Sequence, residues 1–462
     1  MALGNIKETG MPIRSVSTAV KATAAFAAAG MILTGCASQG GSTSPAGTTT
    51  SNITQSQIDA AMNKPTTIEF WSWVPGIQNE INLFEAKYPK IKVNLSNQGG
   101  NTAQYQKLRT AFASGAVPDT AQIEYSFLSS FTITKAVLDL APYGFTSLKS
   151  DFTPAAWAQV APRGSVYGLP ADLGPTGQLF RTDIFSKAGI PAPTSWNEYA
   201  AAAQTVKEKT GAYITDFPGN SMSPMLALLQ QAGAKPFGFD GNKTVTIDLS
   251  SPTVKKVVSF WNDLIQKNLV ATDNQLDNNW YQSISSGKYA SWLAAAWGPV
   301  FLQGTAANTS GRWSATALPQ WDASKPSSGN QGGSAFVVMK GSKNPIVAAQ
   351  FVKFINDGTA SATMLATKQF QFPSNIATQK SSGFTNQKMA FYGGQKVNAV
   401  FTGISATVNP DWQWLPYNDY VSSSFKETLG KAITNKTDLL TGLTAWEAQI
   451  KQYGEQQGFT VK

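Results

Sequence analysis

Residues 66–123 read TTIEFWSWVPGIQNEINLFEAKYPKIKVNLSNQGGNTAQYQKLRTAFASGAVPDTAQI, and this stretch decides the fold. Its first residues, Thr67–Trp71, predict a short strand. Apolar residues then recur at helical spacing from Ile77 to Tyr88, and Pro89 predicts the end of that helix. Lys92–Ser96 predicts a second strand, after which another helix and another strand follow. This alternation predicts an α/β body with a mostly parallel sheet.

The same pattern continues further along the chain. Ser195 with Glu198 predicts a capping box at the start of a helix. Ser251 before Pro252 predicts an N-cap followed by a first helical turn. The sequence has no short-period repeat, which argues against a solenoid or a propeller.

The composition of the 462 residues excludes several kinds of catalytic site. Histidine is absent, which excludes serine and cysteine triads that use histidine and zinc sites with histidine ligands. A single cysteine excludes an intrachain disulfide. The net charge of +9 is dispersed without a run of five basic residues, so we expect no nucleic acid as a partner. Charged residues make up only 14%, which favours an extracytoplasmic protein.

The N-terminus has the features of a secretory signal. Arg14 and Lys21 precede an apolar stretch that is too short for a comfortable membrane span. It ends in LTGC at residues 33–36, which resembles the lipobox of bacterial lipoproteins, whose cysteine is lipidated. The alternative is a free cysteine after an ordinary signal peptide, but an exposed lone thiol is a liability. We expect a signal peptide over 1–35 and a lipid on Cys36 that anchors the extracytoplasmic protein to the bacterial cell membrane.

Residues 36–65 are predicted to join this anchor to the folded part of the chain. From Ala37 to Thr54 the residues are mainly Gly, Ser, Thr and Ala, a composition typical of a flexible linker. We expect the ordered structure to begin near Thr66.

Several short motifs after residue 66 resemble one family. They are Phe70-Trp71-Ser72-Trp73, Phe84–Pro89, Ala113–Asp119, Leu138–Leu140, Tyr167–Pro170, Leu179–Phe185, Ala295–Pro299, Gly332–Val338, Ala348–Ile355 and Phe372-Pro373-Ser374. Their order and spacing resemble the extracellular sugar-binding proteins (solute-binding protein family 1) that include maltose-binding protein.

The resemblance implies a two-lobed, periplasmic-binding-protein-like α/β fold of type II with a ligand cleft between the lobes. Crossovers between the lobes are expected near 171–176, 318–331 and 373–378. The lobes are then discontinuous: lobe 1 comprises 66–171 plus 331–374, and lobe 2 comprises 172–330 plus 375–462. The lobes are expected to close around the ligand, and the closed complex to dock on the permease subunits of an ABC importer.

A sugar site needs aromatic rings for the apolar faces of the pyranose and planar polar groups for its hydroxyls. The chain has 13 tryptophans. Trp297 precedes Gly298-Pro299 at a strand end and is the strongest stacking candidate, whereas Trp73 follows the first strand and could equally belong to the core. Trp412 and Trp414 form an aromatic loop that either faces the ligand or pins the C-terminal helices. Trp261, Trp280, Trp292, Trp313 and Trp446 are expected to be structural.

Polar candidates follow the strands and crossovers. Glu124 and Tyr125 directly follow the third predicted strand, where the resemblance implies a ligand-facing loop, although Glu124 could instead serve a helix N-terminus. Asp172 lies in the first crossover and could pair with a hydroxyl or form a salt bridge across the hinge. Gly333 opens a strand where bare backbone can approach a ligand or satisfy tight packing. Asn220 is a further candidate from lobe 2.

The sequence therefore predicts a monomeric, lipid-anchored binding protein that delivers a sugar of two to four units to an ABC permease, without cofactor, metal or catalysis. One alternative is a surface carbohydrate-active hydrolase, which needs two carboxylates such as Glu124 and Asp172. Another is an adhesive lipoprotein.

Overall fold

A computed structural model describes residues 52–100 and 102–462. The predicted signal peptide, the lipidation site at Cys36 and the linker up to residue 51 lie outside the described residues. In the part that is described, no helix combines the length and the apolar character needed to cross a membrane.

The strands are short and spread over the whole described chain. They are β1 Thr66–Trp71, β2 Ile91–Ser96, β3 Thr120–Glu124, β4 Leu169–Pro170, β5 Thr176–Arg181, β6 Phe237–Phe239, β7 Thr244–Ile247, β8 Ser291–Ala295, β9 Trp313–Ala317, β10 Ser334–Val338 and β11 Thr460–Val461.

Helices connect and cover these strands. They are α1 Gln55–Met62, α2 Gln78–Lys87, α3 Thr102–Ser114, α4 Tyr125–Ile133, α5 Pro154–Val160, α6 Thr182–Ala188, α7 Trp196–Thr210, α8 Ser223–Gln231, α9 Pro252–Gln266, α10 Asn278–Ser286, α11 Gly298–Thr305, α12 Pro345–Asp357, α13 Thr359–Thr367, α14 Ile376–Lys380, α15 Ser382–Thr385, α16 Val397–Ser405, α17 Asn418–Glu427, α18 Leu429–Asn435 and α19 Leu439–Gln456.

Five strands form the first sheet, in the order β2-β1-β3-β10-β4. β1 runs parallel to β2 and β3, whereas β10 is antiparallel to β3 and β4. Two three-stranded sheets follow, β8-β5-β9 and β11-β7-β6, and most of their pairings are antiparallel. The expectation of a mostly parallel sheet is therefore wrong. Strand–helix–strand units impose parallel pairing only in β1–β3, because β10 enters the first sheet from the opposite direction.

The chain passes from the first sheet to the second between β4 and β5, and it returns between β9 and β10. The two passages contact each other, because Pro175 pairs with Asn330 and the Gln331 amide donates to the Gly174 carbonyl over 2.8 Å. Asp172 also pairs with Pro373, where the third crossover is expected. The exact lobe boundaries stay a prediction.

Two hydrophobic cores support the sheets. Phe70 of β1 makes edge-to-face contacts with Phe336 of β10 and Phe351 of α12 in the first core, with ring centroids 5.2 and 5.1 Å apart. Trp261 and Trp446 lie in the second. The five tryptophans expected to be structural are all buried. Three of them, Trp280, Trp292 and Trp313, belong to the first core although the predicted partition places them in lobe 2.

The predicted helix starts are found with one difference. At α7 the Glu198 amide donates to Ser195 Oγ and the Ser195 amide donates to Glu198 Oε2, so the capping box is confirmed. Helix α9 begins at Pro252 as predicted, but Ser251 makes no capping hydrogen bond with its side chain. The fixed φ of proline is suited to the first helical position without such a cap.

Ordered structure begins before Thr66, so a linker reaching residue 65 is too long. Helix α1 opens with a capping box between Thr54 and Gln57, and Met62 in its last turn is buried in the first core. The Ile53 amide also donates to the Pro142 carbonyl over 2.8 Å. Packing of a short amphipathic helix and its cap together explain the order.

Substitution of Gly174 tests whether the close contact between the two passages is required for stability. A β-carbon added there would lie 2.0 Å from the backbone oxygen of Gln331. We expect Gly174→Ala to lower the free energy of unfolding by about 1–3 kcal/mol, as overpacking does. The matched control is Gly304→Ala in α11, where a β-carbon meets nothing within 4 Å. That change should stabilise the helix by up to about 1 kcal/mol. Urea denaturation measures both, and equal effects would contradict the packing argument.

Candidate functional site

A cavity of about 810 Å³ lies beside the crossovers, and both predicted lobes line it. It is lined by Trp73, Pro75, Gly76, Gln122, Glu124, Asp172, Leu276, Trp297, Val300, Phe301, Gln331, Gly332, Gly333, Ser334, Lys368, Gln369, Phe370 and Gln371. We call it the crossover cavity. It brings together five of the predicted site residues: Trp73, Glu124, Asp172, Trp297 and Gly333. Its volume falls in the range typical of small-molecule sites.

Asp172 is held by hydrogen bonds that tie the first crossover to β10. Its Oδ1 accepts from the Ser334 amide over 2.9 Å and from Ser334 Oγ over 2.6 Å. Its carbonyl oxygen accepts from Tyr125 Oη over 2.8 Å. Within residues 52–100 and 102–462 it forms no salt bridge, so the alternative of an ion pair across the hinge is not seen. Burial raises the pKa of Asp172 to about 6, although the Ser334 hydrogen bonds oppose this.

Glu124 ends β3 directly opposite Ser334 in the register of β3 and β10. It occupies the N-cap position of α4, yet its side chain makes no capping hydrogen bond. Burial raises the pKa of Glu124 to about 7, and the negative charge of Asp172 adds to the shift. Two carboxyl groups thus share the floor of the crossover cavity.

Trp73 and Trp297 bring indole rings to the cavity from the two predicted lobes. Trp73 follows β1, is partly buried and packs edge-to-face on Tyr105, with ring centroids 6.2 Å apart. Trp297 follows β8 and donates from Nε1 to the Gln331 carbonyl over 3.1 Å. Its ring lies 5.5 Å from that of Phe301. Each ring is therefore held in place by a protein partner.

Gly333 has a left-handed backbone, with φ of 93°. A β-carbon at this position would lie 2.6 Å from the Tyr125 ring. Glycine is thus required here by packing as well as by conformation. This accounts for the residue without any ligand.

Tyr125, Trp412 and Trp414 lie around a second cavity of about 570 Å³, which we call the loop cavity. Trp414 Nε1 donates to Gln159 Oε1 over 2.8 Å, and Gln159 Nε2 donates to the Trp412 carbonyl over 3.2 Å. The aromatic loop is thereby joined to α5. Because Tyr125 also contacts Asp172 and Gly333, the crossovers lie between the two cavities.

Asn220 lines neither cavity. It exchanges hydrogen bonds with Gln275, whose amide donates to Asn220 Oδ1 over 3.2 Å. Gln275 directly precedes Leu276, a residue of the crossover cavity. Asn220 is therefore placed to support the wall of the cavity.

Three large apolar residues are among the cavity residues that sequence reasoning missed. Leu276, Phe301 and Phe370 are 45%, 51% and 52% exposed, and they are the exposed large hydrophobic side chains within the described residues. All three line the crossover cavity. Leu276 and Phe370 also have left-handed backbones, with φ of 69° and 57°, which is unusual for bulky side chains. One sequence signal was the alternation of amide and aromatic side chains in Gln369-Phe370-Gln371-Phe372.

Glu124 should make stability depend on pH. Its folded pKa of about 7 exceeds the ordinary 4.5, so the folded state binds the proton more tightly. The contribution of protonated Glu124 to the free energy of unfolding is fully present below pH 4.5 and is lost as pH rises towards 7. We expect the wild type to lose about 1–2 kcal/mol relative to Glu124→Gln between pH 5 and pH 7.5. Urea denaturation across this range checks it, and a difference that does not change with pH would contradict it.

Known proteins are similar to this chain in sequence. A lactose-binding protein of Rhizobium radiobacter is 26% identical over 363 residues, which cover 71% of this chain and 80% of the relative. An arabinooligosaccharide-binding protein of Bacillus subtilis is 24% identical over 63% of this chain and 69% of its own length.

Among solved structures, the ABC-transporter-associated binding protein of B. animalis subsp. lactis, in complex with β-1,6-galactobiose, has 32% identity and a TM-score of 0.73. It covers 87% of this chain and 100% of its own. The fold is thus that of two-lobed periplasmic binding proteins. The model of the family described as bacterial extracellular solute-binding protein matches residues 70–360. This chain belongs to the bacterial extracellular solute-binding protein family.

Proposed function

We propose that this protein is the substrate-binding component of an ABC importer and that it captures a sugar of two to four units in the crossover cavity. The observation that carries the proposal is the composition of that cavity. Indole rings from both lobes, two carboxyl groups and three exposed apolar side chains surround a volume of about 810 Å³. Aromatic faces suit the C–H faces of a pyranose, and carboxyl groups suit its hydroxyls.

The relatives direct the choice of sugar. One relative, 26% identical, is a lactose-binding protein, and one solved structure, 32% identical, is a binding protein in complex with β-1,6-galactobiose. Both sugars contain a β-linked galactose. Disaccharides with a β-linked galactose are therefore the ligands proposed first for this cavity.

Binding is proposed to shift the protein towards a closed state. A ligand that touches Trp73 of lobe 1 and Trp297 of lobe 2 gains both contacts only when the lobes approach. The crossovers are the short connections about which the lobes would turn. The closed complex would then deliver the sugar to the permease subunits, the protein itself remaining a monomer.

The proposed role is binding without catalysis. A hydrolase needs one carboxyl group that acts as an acid and a second that acts as a nucleophile or base. Asp172 Oδ1 is instead occupied by the amide and hydroxyl of Ser334. Intact recovery of the sugar after prolonged incubation supports a binding protein, whereas cleavage products would favour the hydrolase.

The proposed location is the outer face of the cell membrane, with a lipid on Cys36. We expect wild-type protein to partition with membranes and to incorporate labelled palmitate, because acyl chains bury in the bilayer. Cys36→Ser should incorporate no label, whereas Ser38→Ala should be labelled like the wild type. Palmitate incorporation into Cys36→Ser would refute lipidation at this residue.

Removal of one indole ring tests the site. We expect Trp297→Ala to weaken binding of β-1,6-galactobiose or lactose by about 1–3 kcal/mol, typical of a buried aromatic contact. The matched control is Trp321→Ala, because Trp321 is partly buried in lobe 2 and lines neither cavity. Isothermal titration measures affinity, and thermal unfolding verifies that each variant folds. If Trp414→Ala abolishes binding while Trp297→Ala retains it, the sugar occupies the loop cavity instead.

A further inference from the structure

Two carboxyl groups bring hydrogen-bond acceptors to the crossover cavity. Glu124 and Asp172 are acceptors when ionised. Within residues 52–100 and 102–462, neither carboxylate forms an ion pair. A charge buried without a partner is costly, and a ligand can provide the missing partner.

Gln331 adds an independent acceptor. The residue lines the cavity and is only 8% exposed, and its Oε1 is buried without a hydrogen-bond partner among the described residues. A buried amide oxygen without a donor is uncommon, because losing its hydrogen bond costs free energy. This oxygen, like the carboxylates, calls for a ligand that donates.

Donors on the same wall are already engaged with the protein. Gln122 Nε2 donates to Ser334 Oγ over 2.9 Å, and Ser334 Oγ donates to Asp172. Trp297 Nε1 donates to the Gln331 carbonyl. These three donors are therefore not free to bind a ligand.

Cationic compensation is also weak. Lys368 is the cationic residue among those that line the cavity, and its side chain is exposed to solvent. The interaction of an exposed ammonium with a charged ligand is screened by water.

We propose that the crossover cavity selects saccharides by charge. It binds neutral saccharides, binds more tightly those that carry an ammonium group beside Glu124 and Asp172, and binds more weakly those that carry a carboxylate. This rests on the proposed function, since it assumes that a saccharide occupies the cavity.

The selection depends on the ionisation of the two carboxyl groups. Burial raises the pKa of Glu124 to about 7 and that of Asp172 to about 6. A ligand ammonium favours the ionised forms, so linkage requires its affinity to rise as pH increases from 5 to 7. At pH 5 both groups are largely protonated, and the discrimination should fade.

Other titratable groups around Glu124 do not produce the same change. Tyr105 of α3 and Tyr125 of α4 have pKa values raised well above 10 by burial, so both hydroxyls stay neutral between pH 5 and 7. Glu80 of α2 also has a pKa raised by burial, and it accepts from Gln369 over 3.1 Å. A Glu80→Gln variant therefore separates its contribution from that of Glu124.

The experiment compares three kinds of ligand by isothermal titration at pH 5 and pH 7. They are β-1,6-galactobiose, its analogues with an amino group in place of a 2-hydroxyl on either unit, and its analogue with a carboxylate at C6 of the non-reducing unit. At pH 7 we expect at least one amino analogue to bind about tenfold more tightly than the neutral sugar, the equivalent of one pKa unit, and the carboxylate about tenfold more weakly. At pH 5 these ratios should approach one.

Variants locate the effect. Glu124→Gln should reduce both ratios at pH 7, whereas Glu455→Gln, which removes the same charge from an exposed position on α19, should leave them unchanged. If the three kinds of ligand bind equally at pH 7, charge selection is wrong while sugar binding stands. If none of them binds, the proposed galactoside function is refuted, and this inference, which rests on it, is refuted as well. Ratios that Glu80→Gln removes and Glu124→Gln retains would also overturn the assignment.

Discussion

The contact between the two crossover passages is the constraint on which the site depends. Ser334 donates twice to Asp172, and Gly174 and Gln331 approach so closely that a single β-carbon would not fit. These contacts fix where β3 and β10 end relative to the first crossover. Glu124, Asp172 and Gly333 consequently meet at one place, although they lie far apart in the sequence.

The cavity combines two features that raise the free energy of the protein without a ligand. Carboxyl groups lose solvation there, which is why their pKa values rise. Leu276, Phe301 and Phe370 expose apolar surface that could otherwise be buried. A ligand with both C–H faces and hydrogen-bond donors would relieve the two penalties together. A saccharide has this combination.

The sequence predicted much of the fold because its signals are local. The helix and strand boundaries in 66–123 follow from hydrophobic spacing and from Pro89, and the capping box at Ser195 follows from one pair of side chains. The antiparallel entry of β10 depends on a contact between distant segments, so spacing could not reveal it.

For the site, Trp73, Glu124, Asp172, Trp297 and Gly333 are found together. In the sequence, Trp412 and Trp414 are as good candidates for ligand contact as Trp73 and Trp297. In the structure, however, they line the loop cavity. Phe370 lacked a motif, because its exposure results from backbone conformation.

Helix α1 shows which lobe carries the first described residues. It packs against α12, and the Ile53 amide donates to the Pro142 carbonyl, so these residues belong to the lobe that carries the five-stranded sheet. The lipid proposed on Cys36 would tether the protein through this lobe. The other lobe would carry no attachment of its own while the cleft closes. A longer or shorter linker would change how far the folded part extends from the membrane without changing the closure movement.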